Sequence, residues 1–80
     1  MTKSLDSIPN RTTVLVKRIL ASDLKVKLLE MGFSEGKELR VLYRAPFGDP
    51  IAIDIGGYTL SLRKDEAAQV EVETIENLSV

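Results

Sequence analysis

Residues 45–63 read APFGDPIAIDIGGYTLSLR, a stretch that holds two of the chain's three prolines, three of its five glycines and its most regular apolar alternation. Ile51, Ile53 and Ile55 alternate with Ala52 and Asp54; Tyr58, Leu60 and Leu62 then alternate with Thr59, Ser61 and Arg63. A period of two marks strands that bury one face. Gly56-Gly57 between the runs suits a two-residue type I′ turn, in which both central residues take positive φ. The segment is therefore read as a β-hairpin. Ahead of it, Pro46 sets the exit of the preceding strand and Gly48 permits a positive φ. Asp49 is expected to close an Asx turn, and Pro50 to open the next strand where a missing N–H costs nothing. PFGDP thus reads as a rigid loop, and Phe47 at its tip has two readings: an apolar group presented to a partner, or a ring folded back over the core.

Working outward, Leu39, Val41 and Tyr43 alternate with Arg40, Leu42 and Arg44 in a strand that follows a turn at Ser34–Lys37. Further back, Ala21, Leu24, Leu28 and Met31 share one stripe of a helix predicted over 22–31, with Ser22 as N-cap. Gly32 suits the left-handed position that ends such a helix, with Leu28 or Phe33 making the apolar contact that accompanies it. The β-branched run from Thr12 to Ile19 is a first strand. Downstream, Lys64–Ala68 reads as a single 3₁₀ turn opened by an Asx cap at Asp65, and Val70 and Val72 as the last strand. Residues 1–10 are expected as a loosely ordered segment, 11–76 as the domain and 77–80 as a tail. Five short strands with one apolar face each cannot bury those faces as a flat sheet. The predicted fold is mainly β with one α-helix, a small five-stranded SH3-like barrel whose helix plugs one end.

Composition removes whole classes of function. The 80 residues contain neither cysteine nor histidine, which eliminates disulfides, thiolate metal sites, the usual general base and the commonest transition-metal ligands. Eleven basic residues against 12 acidic ones, spread along the chain, leave no electrostatic footprint for nucleic acid. No stretch approaches the roughly 18 apolar residues of a membrane span, and the N-terminus has no secretory h-region, so the expectation is a cytoplasmic protein without direct membrane insertion. A chain this short has little room for a substrate cleft, which argues for a non-enzymatic module without a cofactor. GFSEGKE, Gly32–Glu38, has three residues between its glycines where a phosphate-binding P-loop has four, and Glu38 stands where that motif needs Ser or Thr. It is read as a helix cap and turn.

Three landmarks, taken in order, resemble a family. MGFSEGKELRV, then APFGDPIAI, then LSLRKDEAAQVEVE are similar to the ferrous iron transport protein A family, FeoA, over about Val14 to Glu73. The resemblance implies a small cytoplasmic SH3-like barrel that acts beside FeoB, a membrane iron transporter with a cytoplasmic GTPase domain, as a regulator or docking module. One departure is Asn10, where relatives often carry glycine; asparagine tolerates the left-handed region, so the turn is expected to be kept. The same module occurs behind metal-dependent repressors, so the resemblance leaves a divalent-metal sensor as an alternative role; a small-barrel nucleic-acid binder is a further alternative that fold analogy permits. The chain is expected as a monomer or a weak self-associating species.

Partner-binding candidates follow from exposure. Phe47 and Asp49 lie on the rigid loop. Val26 and Leu29 fall away from the 24/28/31 stripe at ~100° per residue, which leaves two readings, a docking face or a helix buried on two sides. Arg40 and Arg44 read either as a basic partner stripe or as the solvated defence of an edge strand. Asp49, Asp54, Asp65 and Glu66 are read as solvated charges rather than a ferrous site, because carboxylates alone favour Mg²⁺ and Ca²⁺ as readily as iron.

Overall fold

The computed structural model describes residues 2–20 and 22–75, with the side chain of Ser22 outside that set. Six strands form one antiparallel sheet: β1 (Thr2–Ser4), β2 (Thr12–Ile19), β3 (Glu38–Arg44), β4 (Ile51–Ile55), β5 (Tyr58–Leu62) and β6 (Val70–Thr74), in the order β1-β6-β2-β3-β4-β5. Helix α1 (Ser22–Glu30) lies between β2 and β3, and a single turn of helix, α2 (Lys64–Ala67), precedes β6. The fold is mainly β and SH3-like, as predicted, but the count is six strands and two helices rather than five and one. The coiled sheet is not closed, because β1 and β5 each pair on one side only.

Two irregularities bend the sheet and decide which side chains point inward. Between Val16 and Arg18 the register of β2 on β6 shifts, and between Val41 and Tyr43 the register of β3 on β4 shifts. An extra residue in one strand reverses the alternation beyond it and increases the local twist. Val14, Val16 and Ile19 are therefore all buried, and Tyr43, expected inward with Leu39 and Val41, is exposed. The core gathers these residues with Ile51, Ile53, Ile55, Leu62, Val70 and Val72.

The extra strand comes from the N-terminal segment. Thr2, Lys3 and Ser4 pair with Glu73, Val72 and Glu71. A 3₁₀ turn at Leu5–Ser7 follows, and Leu5 and Ile8 are completely buried in the common core. The turn into β2 takes its positive φ at Arg11 (61°) rather than at Asn10.

Helix α1 closes the core with the predicted stripe: Leu28 is buried, and Leu24 and Met31 pack half-buried against the core. Ala21, the fourth member, lies outside the described residues, as does the capping expected of the Ser22 side chain. At the other end Gly32 has φ 100° and donates its N–H to Leu29 O at 3.1 Å, while the Phe33 N–H donates to Leu28 O at 2.9 Å. That is a Schellman ending, with buried Leu28 and Phe33 as its apolar pair. The tail at 77–80 lies outside the described residues.

Candidate protein-interaction surface

The β3–β4 loop is closed on itself: the Ala45 N–H donates to Pro50 O at 3.0 Å and the Gly48 N–H to Ala45 O at 2.7 Å. Gly48 has the expected positive φ, 85°, and the Asp49–Pro50 peptide is cis. Phe47 at the tip is 99% exposed, so of its two readings the outward one describes the structure.

Asp49 does something other than the Asx turn expected of it. Its Oδ1 accepts the N–H of Lys64, the first residue of α2, at 2.9 Å, which ties the loop to a helical turn 15 positions further on. The same helix start is held from within by Glu66, whose Oε1 accepts the Arg63 N–H at 3.0 Å. Asp65, expected as the cap of a 3₁₀ turn, instead lies inside the first turn of α2, exposed and without that role. The turn itself is α-type at its start, since Ala67 and Ala68 donate to Arg63 O and Lys64 O four residues back, and only Gln69 makes the tighter bond, to Glu66 O. Glu66 also accepts from Lys27 Nζ at 2.9 Å, joining α2 to α1. This hydrogen bond, with that from Arg63, holds the Glu66 carboxyl below its ordinary pKa.

Lys27, Asp49, Pro50, Ser61, Arg63 and Glu66 border one open cavity of about 440 Å³. The loop, α1, the end of β5 and α2 therefore meet around a common depression. Of these residues the sequence alone points only to Asp49 as a partner contact. Lys27 carries no local signal of its role, because its partner is 39 positions away; Glu66, three residues after a helix start, fits half of a capping box.

The other candidates separate. On α1, Val26 is 62% and Leu29 44% exposed, which answers the question of two-sided burial against that reading. Arg40 is exposed and donates to Thr13 Oγ1 at 3.2 Å, on a different concavity with Glu38 and Asp54. Arg44 is half-buried and works as a clamp: Nη1 donates to Asn10 Oδ1 at 2.6 Å, and Nη2 to the carbonyls of Asp6 at 2.9 Å and Ile8 at 2.6 Å. Neither arginine defends an edge, because β3 lies between β2 and β4. Asp54 lines that second concavity and not the cavity of Asp49 and Glu66, and among the described residues no three carboxylates gather as a metal site would need.

The model of the FeoA domain matches residues 3–74, which take in all of the N-terminal strand but Thr2. The chain belongs to the FeoA domain family. A curated relative in Porphyromonas gingivalis, an Fe(2+) transport protein A/Fe(2+) transporter FeoB fusion protein, is 47% identical over 49 residues, 61% of this chain. That match covers only 6% of the fusion protein's length. Among solved structures, the FeoA-like protein of Clostridium acetobutylicum has a TM-score of 0.88 at 36% identity, over 95% of this chain and 90% of its own. FeoA of Stenotrophomonas maltophilia, crystallised with zinc and described as a prokaryotic SH3 domain protein, has a TM-score of 0.79 at 30% identity over 89% of each chain. FeoA is an accessory domain of ferrous iron transport, and no helix among the described residues is long and apolar enough to cross a membrane.

Proposed function

We propose that this chain is a non-catalytic regulatory module of ferrous iron uptake that binds the cytoplasmic part of a FeoB-type transporter. The observation that carries the reading is the fusion of the two parts in the Porphyromonas gingivalis relative. A covalent link raises the effective concentration of one module at the other, which is of use where the two work in contact. The suggested role of the Stenotrophomonas maltophilia protein as a ferrous iron transport activating factor supports the same reading.

The contact is proposed at the PFGDP loop. Phe47 offers an aromatic anchor held out by a loop that two internal hydrogen bonds and the Asp49–Lys64 bond already order, so little entropy is lost when a partner closes over it. Val26 and Leu29 on α1 extend the apolar contact. Regulation then follows from differential affinity: the module shifts the transporter only as far as it prefers one nucleotide state of the GTPase domain over the other. Titrating the chain against that cytoplasmic domain, loaded in turn with GDP and a non-hydrolysable GTP analogue, tests this. The expected result is saturable binding with a different Kd for the two states; equal Kd values remove regulation, and no binding removes the reading.

A further inference from the structure

β1 and β5 are the two edges of the sheet, and they differ in kind. β1 is three residues long and carries Lys3, features that discourage pairing with another chain. β5, Tyr58-Thr59-Leu60-Ser61-Leu62, has no charge, no proline and no register shift.

The register identifies which of its backbone groups are free. The two-residue turn closes on the pair Ile55↔Tyr58, so Tyr58, Leu60 and Leu62 direct their N–H and C=O toward β4, while Thr59 and Ser61 direct theirs outward. Arg63, the next outward residue, is already satisfied: its N–H donates to Glu66 and its C=O accepts from Ala67 at 2.9 Å. The open edge is thus a short ladder of four backbone groups, ended by the glycine turn on one side and α2 on the other.

We propose that this edge pairs with the same edge of a second copy, antiparallel about Leu60, in a weak two-fold dimer with one continuous sheet. Thr59 then lies opposite the partner's Ser61 and Ser61 opposite the partner's Thr59, which makes four N–H···O bonds. Leu60, partly exposed, meets the partner's Leu60, and Tyr58, 72% exposed, lies in register with the partner's Leu62, whose side chain stays in its own core. A second copy of this strand meets the edge without introducing a charge, and its outward residues match in order. In a chain with 29% charged residues, Ile55–Leu62 is the longest uncharged run, and the hydroxyl–leucine–hydroxyl order Thr59-Leu60-Ser61 at the centre of β5 reads alike in both directions. The partner's Arg63 falls opposite Gly57, where no side chain blocks it. The rim there is balanced, with Glu38 and Asp54 against Arg40 and with Lys37 near Gly56. Pairing through so short an edge buries far less than the roughly 1,200 Å² of a stable interface, so the dimer forms only at high concentration.

Sedimentation equilibrium and amide exchange of the 80-residue chain, from about 10 µM to about 1 mM, test this. The mass is expected to rise toward that of a dimer, with the Thr59 and Ser61 amides exchanging at least about tenfold more slowly at the upper concentration and the Leu60 amide unchanged. Thr59→Pro removes an outward N–H without touching a bond to β4; it should weaken association at least about tenfold at an unchanged Tm. If that variant does not fold, the exchange of the unsubstituted chain decides. A chain that is monomeric throughout, or a dimer in which the Thr59 and Ser61 amides keep their exchange rates, overturns the proposal, as does a folded Thr59→Pro chain that associates like the parent.

Discussion

Replacing Asp49 by alanine removes an acceptor that serves a helix start 15 residues away, and the structure indicates what that costs. The Lys64 N–H is one of the donors a helix leaves unpaired at its beginning, and its bond to Asp49 Oδ1 is 2.9 Å long. Loss of a cap of this kind costs about 0.5–2 kcal/mol. Asp49 and Lys64 are both exposed, so water replaces part of the bond and the expected loss is about 1 kcal/mol, or roughly 4–8 °C in Tm for a domain of this size. Urea titration of both chains measures the first quantity. Amide exchange locates it: protection of Lys64 should fall in the variant while that of Ile53 in the core strand keeps pace with global stability. Asp49→Asn, which keeps an acceptor oxygen at the same reach, should recover most of the loss. An Asp49→Ala chain as stable as the parent, with Lys64 equally protected, would refute the view that this residue braces α2 and, through it, the loop that carries Phe47.

Leu28, fully buried and paired with Phe33 at the end of α1, should cost about 2–5 kcal/mol as Leu28→Ala, and Leu29→Ala, half in solvent, less than half as much; equal losses in urea would mean that the helix face is misplaced. Arg44→Ala should cost about 2 kcal/mol by releasing the carbonyls of Asp6 and Ile8, with Arg44→Lys recovering little because an ammonium lacks the fork that reaches three acceptors; full recovery by lysine would contradict the clamp. The Glu66 carboxyl, held below its ordinary pKa first by its hydrogen bond from Lys27 and then by that from Arg63, stabilises the fold above the unfolded carboxylate value of about 4.3. That contribution is lost as pH falls through the folded value. Glu66→Gln should therefore be less stable than the parent near neutrality by no more than about 1 kcal/mol and converge with it in acid, and a gap that widens on acidification would reverse the sign of the argument.

Local patterns account for what was legible in the sequence. The period-two runs on either side of Gly56-Gly57, the helix stripe through Leu24, Leu28 and Met31, and the Gly32 ending are all encoded within a few residues, and each is present in the structure. What was misread depends on distance. Tyr43 points outward because of a register shift that no residue type announces. The N-terminal segment becomes a strand because β6, seventy residues later, offers it an edge. Arg44 looked like a surface charge, yet its acceptors are carbonyls of a segment more than thirty positions away. Asp49 looked like a turn former because turn formers act locally, whereas its bond is tertiary. For Phe47 the sequence admits two orientations, since an exposed ring and a folded one have the same local pattern.

The central claim concerns Phe47, and one paired measurement on Phe47→Ala tests it most directly. At 99% exposure the ring contributes almost nothing to the core, so its removal should cost no more than about 1 kcal/mol in a urea titration. An aromatic side chain buries about 150–250 Å² when enclosed, so even half of that area lost from an interface, at about 25 cal/mol per Å², is worth roughly 2–3 kcal/mol. Calorimetric titration against the cytoplasmic domain of a FeoB-type transporter should accordingly show the variant binding at least about tenfold more weakly than the parent, as truncation of an interface anchor does. A Phe47→Ala chain that binds with the parent's Kd would contradict the account and move the contact to Val26 and Leu29 on α1.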